Sequence, residues 1–193
     1  IGHMQNLPDT NYPYYANVLA KYEKFLSDEN RLVRRSALEA QASFSERYPL
    51  PPDCGHEATI FLHHHGLRIC PETVHDYVSG KDFIDAGAYT GDSAIMFLLD
   101  YQPKHVYCFD INKSLGWFFD QTMELNHIDP NRFTLIVEAL GDVVSELEVE
   151  ADGFSVFAAG GGKRVTIPVD TIDHFAGDRD CNIGLINADI EGY

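Results

Sequence analysis

The segment Phe83-Ile84-Asp85-Ala86-Gly87-Ala88-Tyr89-Thr90-Gly91-Asp92-Ser93 constrains this chain more than any other. It opens as a short apolar run of strand character and passes through two glycines four apart, which let the backbone turn where a side chain would obstruct it. A helical pattern follows, with Ile95, Leu98 and Leu99 expected to face a sheet and with Asp92 and Ser93 able to cap the first turn. A strand that leads directly into a helix is the opening half of a βαβ unit, whose repetition gives a parallel sheet covered by helices.

The repetition is present downstream. His105-Val106-Tyr107-Cys108-Phe109 reads as a second strand, and the helix after it runs from about Lys113 to Asn126 with Leu115, Phe118, Phe119 and Thr122 along one side. Phe133 to Val137 is a third strand and Ile183 to Ile190 a fourth, buried one. Between these the rhythm turns antiparallel: Ser155-Val156-Phe157 and Arg164-Val165-Thr166-Ile167 flank Gly160-Gly161-Gly162, read as a β-hairpin insertion with a loose tip. A helical turn is expected from Asp170 to Phe175. Upstream, Val18, Leu19, Tyr22, Phe25 and Leu26, then Leu32, Leu38 and Phe44, recur at helical spacing until Pro49, Pro51 and Pro52 stop the pattern. Thr59 to Leu62 is read as a short strand. The chain thus divides into residues 1–4, which resemble an expression-vector remnant, an N-terminal helical region at 5–53, and an α/β domain at 54–193.

Open parallel sheets bind ligands at the carboxyl ends of their strands, so the turn after Ala86 is the candidate site. About twenty residues beyond it, Asp110 closes the second strand, where a carboxylate can accept hydrogen bonds from both hydroxyls of a ribose. Together these features describe a nucleoside-containing ligand. A dinucleotide turn uses Gly-x-Gly-x-x-Gly to admit a pyrophosphate at a helix N-terminus, whereas this turn has an acid first, then Gly87 and Gly91. Asp85 or Asp92 would repel phosphates and attract cationic groups. On the sequence alone a plainer alternative stays open, in which Asp92 only caps a helix and the glycines only make a turn.

Five blocks follow one another in an order and spacing that resemble FkbM-family methyltransferases, over roughly Asp82 to Tyr193. They are Phe83 to Ser93, Val106 to Asp110, Glu124-Leu125-Asn126, Pro168-Val169-Asp170-Thr171-Ile172-Asp173 and Asp189-Ile190-Glu191-Gly192. The resemblance implies a Rossmann-like class I methyltransferase sheet of strand order 3-2-1-4-5-7-6, of which strands 3-2-1-4 fall within this chain. It also implies S-adenosylmethionine as cofactor and transfer of its methyl group to a hydroxyl of a sugar or small metabolite. Asp85, Gly87, Ala88, Tyr89, Gly91, Asp92 and Ser93 would line that cofactor, whose ammonium and sulfonium suit the acids of the turn. Asp110 would hold the ribose, Ile111 would flank the adenine, and Glu138 with Ala139 would border its ring. Asp189 and Glu191 would face the methyl group and the acceptor, as general base or orienting group; alternatively Asp189 caps the segment after it and Glu191 is a solvated end.

Two departures from the family pattern stand out. Phe109-Asp110-Ile111 replaces the family's Phe-Glu-Pro, keeping the acid but shortening its reach, and Asn187 replaces a Lys, removing a positive charge. The second departure favours an alternative function, a catalytically silent cofactor- or partner-binding module with the same fold. A NAD(P)-dependent oxidoreductase is the third reading, weakened by the glycine spacing.

Composition narrows the partners. Thirty acidic against fourteen basic residues give a formal net charge of −16, which opposes nucleic-acid phosphates. No apolar run approaches the roughly 18 residues of a membrane-spanning helix, and no secretory pattern opens the chain, so a cytoplasmic location is expected. Cys54, Cys70, Cys108 and Cys181 are too dispersed for a paired Cys-x-x-Cys metal site. His63, His64 and His65, read as strand residues, would point to alternating faces, so no metal is expected. Strands five to seven of the implied fold would have to follow Tyr193, so the chain is expected to be C-terminally truncated and inactive. Its open strand edge, or its N-terminal helices, would offer a surface for self-association.

Overall fold

The computed structural model describes residues 44, 46–52, 58–152, 155–157 and 163–190. The chain divides into two compact units, Ile1–Ala42 and Ser43–Tyr193, and every described residue belongs to the second. Most of the expected N-terminal helices lie outside the described residues, as do Cys54, Gly160 to Gly162 and Glu191.

Helices α1 (Ala58–His63) and α2 (Glu72–Val78) precede β1 (Asp82–Ala86), α3 (Asp92–Asp100), β2 (His105–Phe109), α4 (Gly116–Leu125) and β3 (Phe133–Ile136). There follow β4 (Ala139–Leu140), β5 (Ser145–Asp152), β6 (Ser155–Phe157), β7 (Lys163–Asp170), α5 (Ile172–Arg179) and β8 (Ile183–Ala188). Strands β3, β2, β1 and β8 form one sheet in that order, parallel throughout. This is the expected 3-2-1-4 arrangement, a Rossmann-like α/β sheet.

Strand β1 is buried from end to end, and its lack of polar alternation is what a strand covered on both faces requires. Successive residues feed opposite cores. Phe83 joins Ile95, Phe97, Val106 and Phe119 on one face, while Ile84 joins Phe109 and Phe175 on the other. The rings of Phe83 and Phe97 meet edge to face at 5.5 Å, and those of Phe109 and Phe175 at 4.9 Å. Each such fully buried side chain contributes about 1.5–3 kcal/mol through burial. Among the described residues, no helix is long and apolar enough to cross a membrane.

Four expectations are corrected. Thr59 to Leu62 is not a strand but lies in α1, where the adjacent residues Ile60 and Phe61 are both buried. The segments Ser155 to Phe157 and Arg164 to Ile167 do not pair with each other. Instead β5 lies between them, antiparallel to both, in a second sheet of order β4-β7-β5-β6. Leu99 is 38% exposed, because α3 presents Ala94, Ile95, Met96, Phe97 and Leu98 to its neighbours and leaves Leu99 outside. The fourth parallel strand ends at Ala188 and is not buried: β1 is its one partner among the described residues, and Ile186 stays 49% exposed.

Candidate functional site

Three strand ends and one turn converge at the carboxyl edge of the parallel sheet. The amides of Gly87 and Ala88 both donate to the Phe109 carbonyl, at 2.9 and 3.0 Å, and the Asp189 amide donates to the Ala86 carbonyl at 2.9 Å. The turn after β1 is thereby tied to the ends of β2 and β8. Gly87 has φ +86°, and a Cβ placed on it would lie 2.2 Å from the Asp189 carbonyl oxygen. The close approach that requires glycine is therefore to the chain's own backbone. Gly91, at φ +85°, is the N-cap of α3, and a Cβ there would meet Met123 Cε at 2.9 Å and the Phe119 ring at 3.0 Å.

Asp92 and Ser93 do not cap α3, since the helix starts at Asp92 and its N-cap residue makes no side-chain bond. Asp92 instead places a buried carboxylate in the first turn, where the helix dipole favours negative charge. Its Oδ1 accepts the Ser93 amide at 2.9 Å. Ser93 Oγ lies 2.8 Å from His65 Nε2, a contact not foreseen from the residue pattern. The neighbouring histidines do not sit on a strand. His64 and His65 take positive φ, and His64 Nδ1 lies 2.8 Å from the Tyr101 hydroxyl, so the two rings diverge.

Asp85 is wholly buried at the end of β1. Its Oδ1 accepts from Asn187 Nδ2 at 2.8 Å, while Oδ2 has no hydrogen-bond partner among the described residues. Burial pushes this carboxyl up to about 7, with the charges of Asp92, Asp110 and Asp189 acting in the same direction and the Asn187 bond opposing them. A buried carboxyl oxygen with no partner is unfavourable in a finished structure.

Asp110 follows β2 directly and is positioned by its own amide, which donates to the Ile136 carbonyl at 3.1 Å. Its Oδ2 accepts the Tyr89 amide at 2.8 Å and its Oδ1 the Asn112 amide at 2.7 Å. Burial raises its pKa and those two amides oppose the rise. Tyr89 reaches this bond in a left-handed conformation, φ +47°, with its side chain 42% exposed. Each carboxylate oxygen of Asp110 has a further lone pair beyond the amide it already accepts.

Of the other expected residues, Ala88 is buried in the turn and Ile111 is half-buried directly after Asp110. Glu138 and Ala139 come just after β3, on the side where Ile136 meets Asp110. Ala139 also pairs with Val169 in the second sheet. Asp189 is exposed beside Gly87, and Glu191 lies outside the described residues. Thr90, not foreseen as a site residue, is 1% exposed with an Oγ1 that has no hydrogen-bond partner among the described residues.

No family model and no curated protein matches the chain. Among solved structures it is similar to a Staphylococcus aureus protein provisionally assigned as a caffeoyl-CoA O-methyltransferase, at 20% identity and a TM-score of 0.31. The match covers 60% of this chain and 49% of that one, so the chain spans about half the length of that relative. The fold accordingly stands on the strand order and register described above.

Proposed function

We propose that this chain is a cytoplasmic S-adenosylmethionine-dependent methyltransferase of the FkbM type, acting on a hydroxyl of a sugar or small metabolite. The observation that carries the proposal is the pair of acids at adjacent strand ends. Asp110 is held by two backbone amides with acceptor capacity left over, and Asp85 is buried with one oxygen that has no partner among the described residues. The first arrangement suits a ribose diol, and the second suits a cationic group.

The residues fit the cofactor. Asp110 would accept the ribose hydroxyls, with Ile111, Glu138 and Ala139 toward the adenine. The bare Oδ2 of Asp85 would accept from the ammonium. Asp92 and Asp189 join Asp85 and Asp110 in a field of four carboxylates, which opposes the pyrophosphate of a dinucleotide and supports this reading over a nicotinamide-dependent one. When bound, S-adenosylmethionine supplies a sulfonium methyl group for transfer. Asp189, exposed at the end of β8, would orient the acceptor hydroxyl or take its proton, and Glu191 is the second candidate for that role. Alignment of the acceptor oxygen supplies much of the acceleration in such a displacement.

The test is transfer of radiolabelled methyl from S-adenosylmethionine to a panel of hydroxylated acceptors. Transfer is expected to fall by about 10²-fold or more in Asp189→Ala if that carboxylate takes the proton. Cofactor binding without transfer to any acceptor would favour the silent module, the reading to which the neutral Asn187 lends weight.

A further inference from the structure

Strands β1 and β8 are paired so that Asp85 stands directly opposite Asn187. Across that pair a neutral amide donates to Oδ1 at 2.8 Å, and Oδ2 of the same wholly buried carboxyl has no partner among the described residues. We propose that Asn187 is a specificity-determining positioning residue: it holds Asp85 without neutralising it, leaving the carboxylate's charge for the ligand, so that the site selects a cationic nucleoside over its uncharged counterpart. The inference rests on the cofactor reading above and adds to it how the charge of the ligand is sensed.

Every charged group that bears on Asp85 makes its ionised form harder to hold. Asp92 at the start of α3, Asp110 after β2 and Asp189 after β8 are all acids, and the Cys108 thiol on β2 lies within electrostatic reach. His65 Nε2 lies 2.8 Å from Ser93 Oγ. Burial and these neighbours leave Asp85 about half-protonated near pH 7 in the absence of ligand. A cation placed against the bare oxygen favours the ionised form. Binding of a cationic ligand therefore releases a proton from Asp85, whereas binding of a neutral one does not. A cationic side chain at position 187 would ionise Asp85 beforehand and remove the distinction.

The experiment is calorimetric titration of the full chain with S-adenosylmethionine and with methylthioadenosine, a nucleoside thioether lacking both positive charges. Each titration is run at pH 6, 7 and 8 in buffers of different ionisation enthalpy, for wild type, Asn187→Lys and Asp85→Asn. The free ligand's amine titrates identically for all three proteins, and methylthioadenosine, which lacks that amine, gives the background proton release of each. Wild type is expected to release about half a proton more than either variant on binding S-adenosylmethionine at pH 7. Its affinity for that ligand should fall about tenfold more than the variants' affinity does from pH 8 to pH 6, while methylthioadenosine affinity stays flat throughout. Asp85→Asn is nearly isosteric and reads out the same point should Asn187→Lys fold poorly. Equal proton release and equal pH dependence in wild type and variants would overturn the inference while leaving the cofactor site standing. Binding of neither ligand by wild type would overturn both.

Discussion

Replacing Gly87 by alanine separates two effects that the structure makes distinct. The backbone there has φ +86°, and the new Cβ would lie 2.2 Å from the Asp189 carbonyl oxygen, far inside van der Waals contact. Gly80 provides the internal control: it also has positive φ, at +72°, but nothing lies within 4 Å of its would-be Cβ. A left-handed conformation costs an L-residue about 1–2 kcal/mol, and that alone is the loss expected for Gly80→Ala. In Gly87→Ala the Asp189 backbone must also move, which strains its bond to the Ala86 carbonyl. Loss of that bond and of local packing adds about 1–3 kcal/mol. At about 2–4 °C per kcal/mol for a chain of this size, Gly87→Ala should melt clearly below Gly80→Ala and should also bind nucleoside more weakly. Thermal melts followed by circular dichroism, with parallel ligand titrations, measure both. Equal melting temperatures for the two variants would refute the claim that Gly87 is required by the approach of β8.

Asp85 makes stability pH-dependent with an unusual sign for a carboxylate. Its folded pKa of about 7 lies above the ordinary carboxyl value of 3.8, so between these values the folded state binds more protons than the unfolded one. Stability should therefore be full below about pH 4 as far as this group is concerned and fall as pH rises through about 7, by at most about 4 kcal/mol. Asp85→Asn should flatten that slope and be the more stable protein at pH 8, as read by urea melts across pH. Asp110→Asn leaves one of two amides facing an NH2 group instead of an oxygen, and should lose about 1–2 kcal/mol along with most nucleoside affinity. Tyr101→Phe removes the hydroxyl 2.8 Å from the buried His64 Nδ1 and should destabilise by about 1–2 kcal/mol without changing ligand affinity. Phe97→Ala, in the wholly buried face of α3, should lose about 3–5 kcal/mol in the same melts.

Strands β1 and β2 were legible in the sequence because each runs into a helix with its own apolar stripe, α3 and α4. Asp110 was legible for the same reason, since the end of β2 is a fixed point in such a repeat. Strand β5 was missed although Glu146-Leu147-Glu148-Val149-Glu150 alternates strictly and leads to Asp152-Gly153, a strong hairpin signal. The α1 segment resembles a strand in sequence because Ile60 and Phe61 stand side by side and the helix spans only Ala58–His63, too short to show a helical repeat. Nothing local could reveal that Gly87 meets Asp189, that Asn187 bonds Asp85 or that His65 reaches Ser93. Those contacts join residues 102, 102 and 28 positions apart and exist only once the strand register is set.

The claim that matters most is that the acids at the ends of β1 and β2 hold a nucleoside with a cationic tail. Equilibrium titration of the wild-type chain and of Asp110→Ala with S-adenosylhomocysteine, and separately with NAD, tests it most directly. Saturable binding of S-adenosylhomocysteine, weakened at least tenfold by Asp110→Ala and accompanied by no binding of NAD, is the predicted result. Tighter binding of NAD, or S-adenosylhomocysteine binding that Asp110→Ala leaves unchanged, would contradict it.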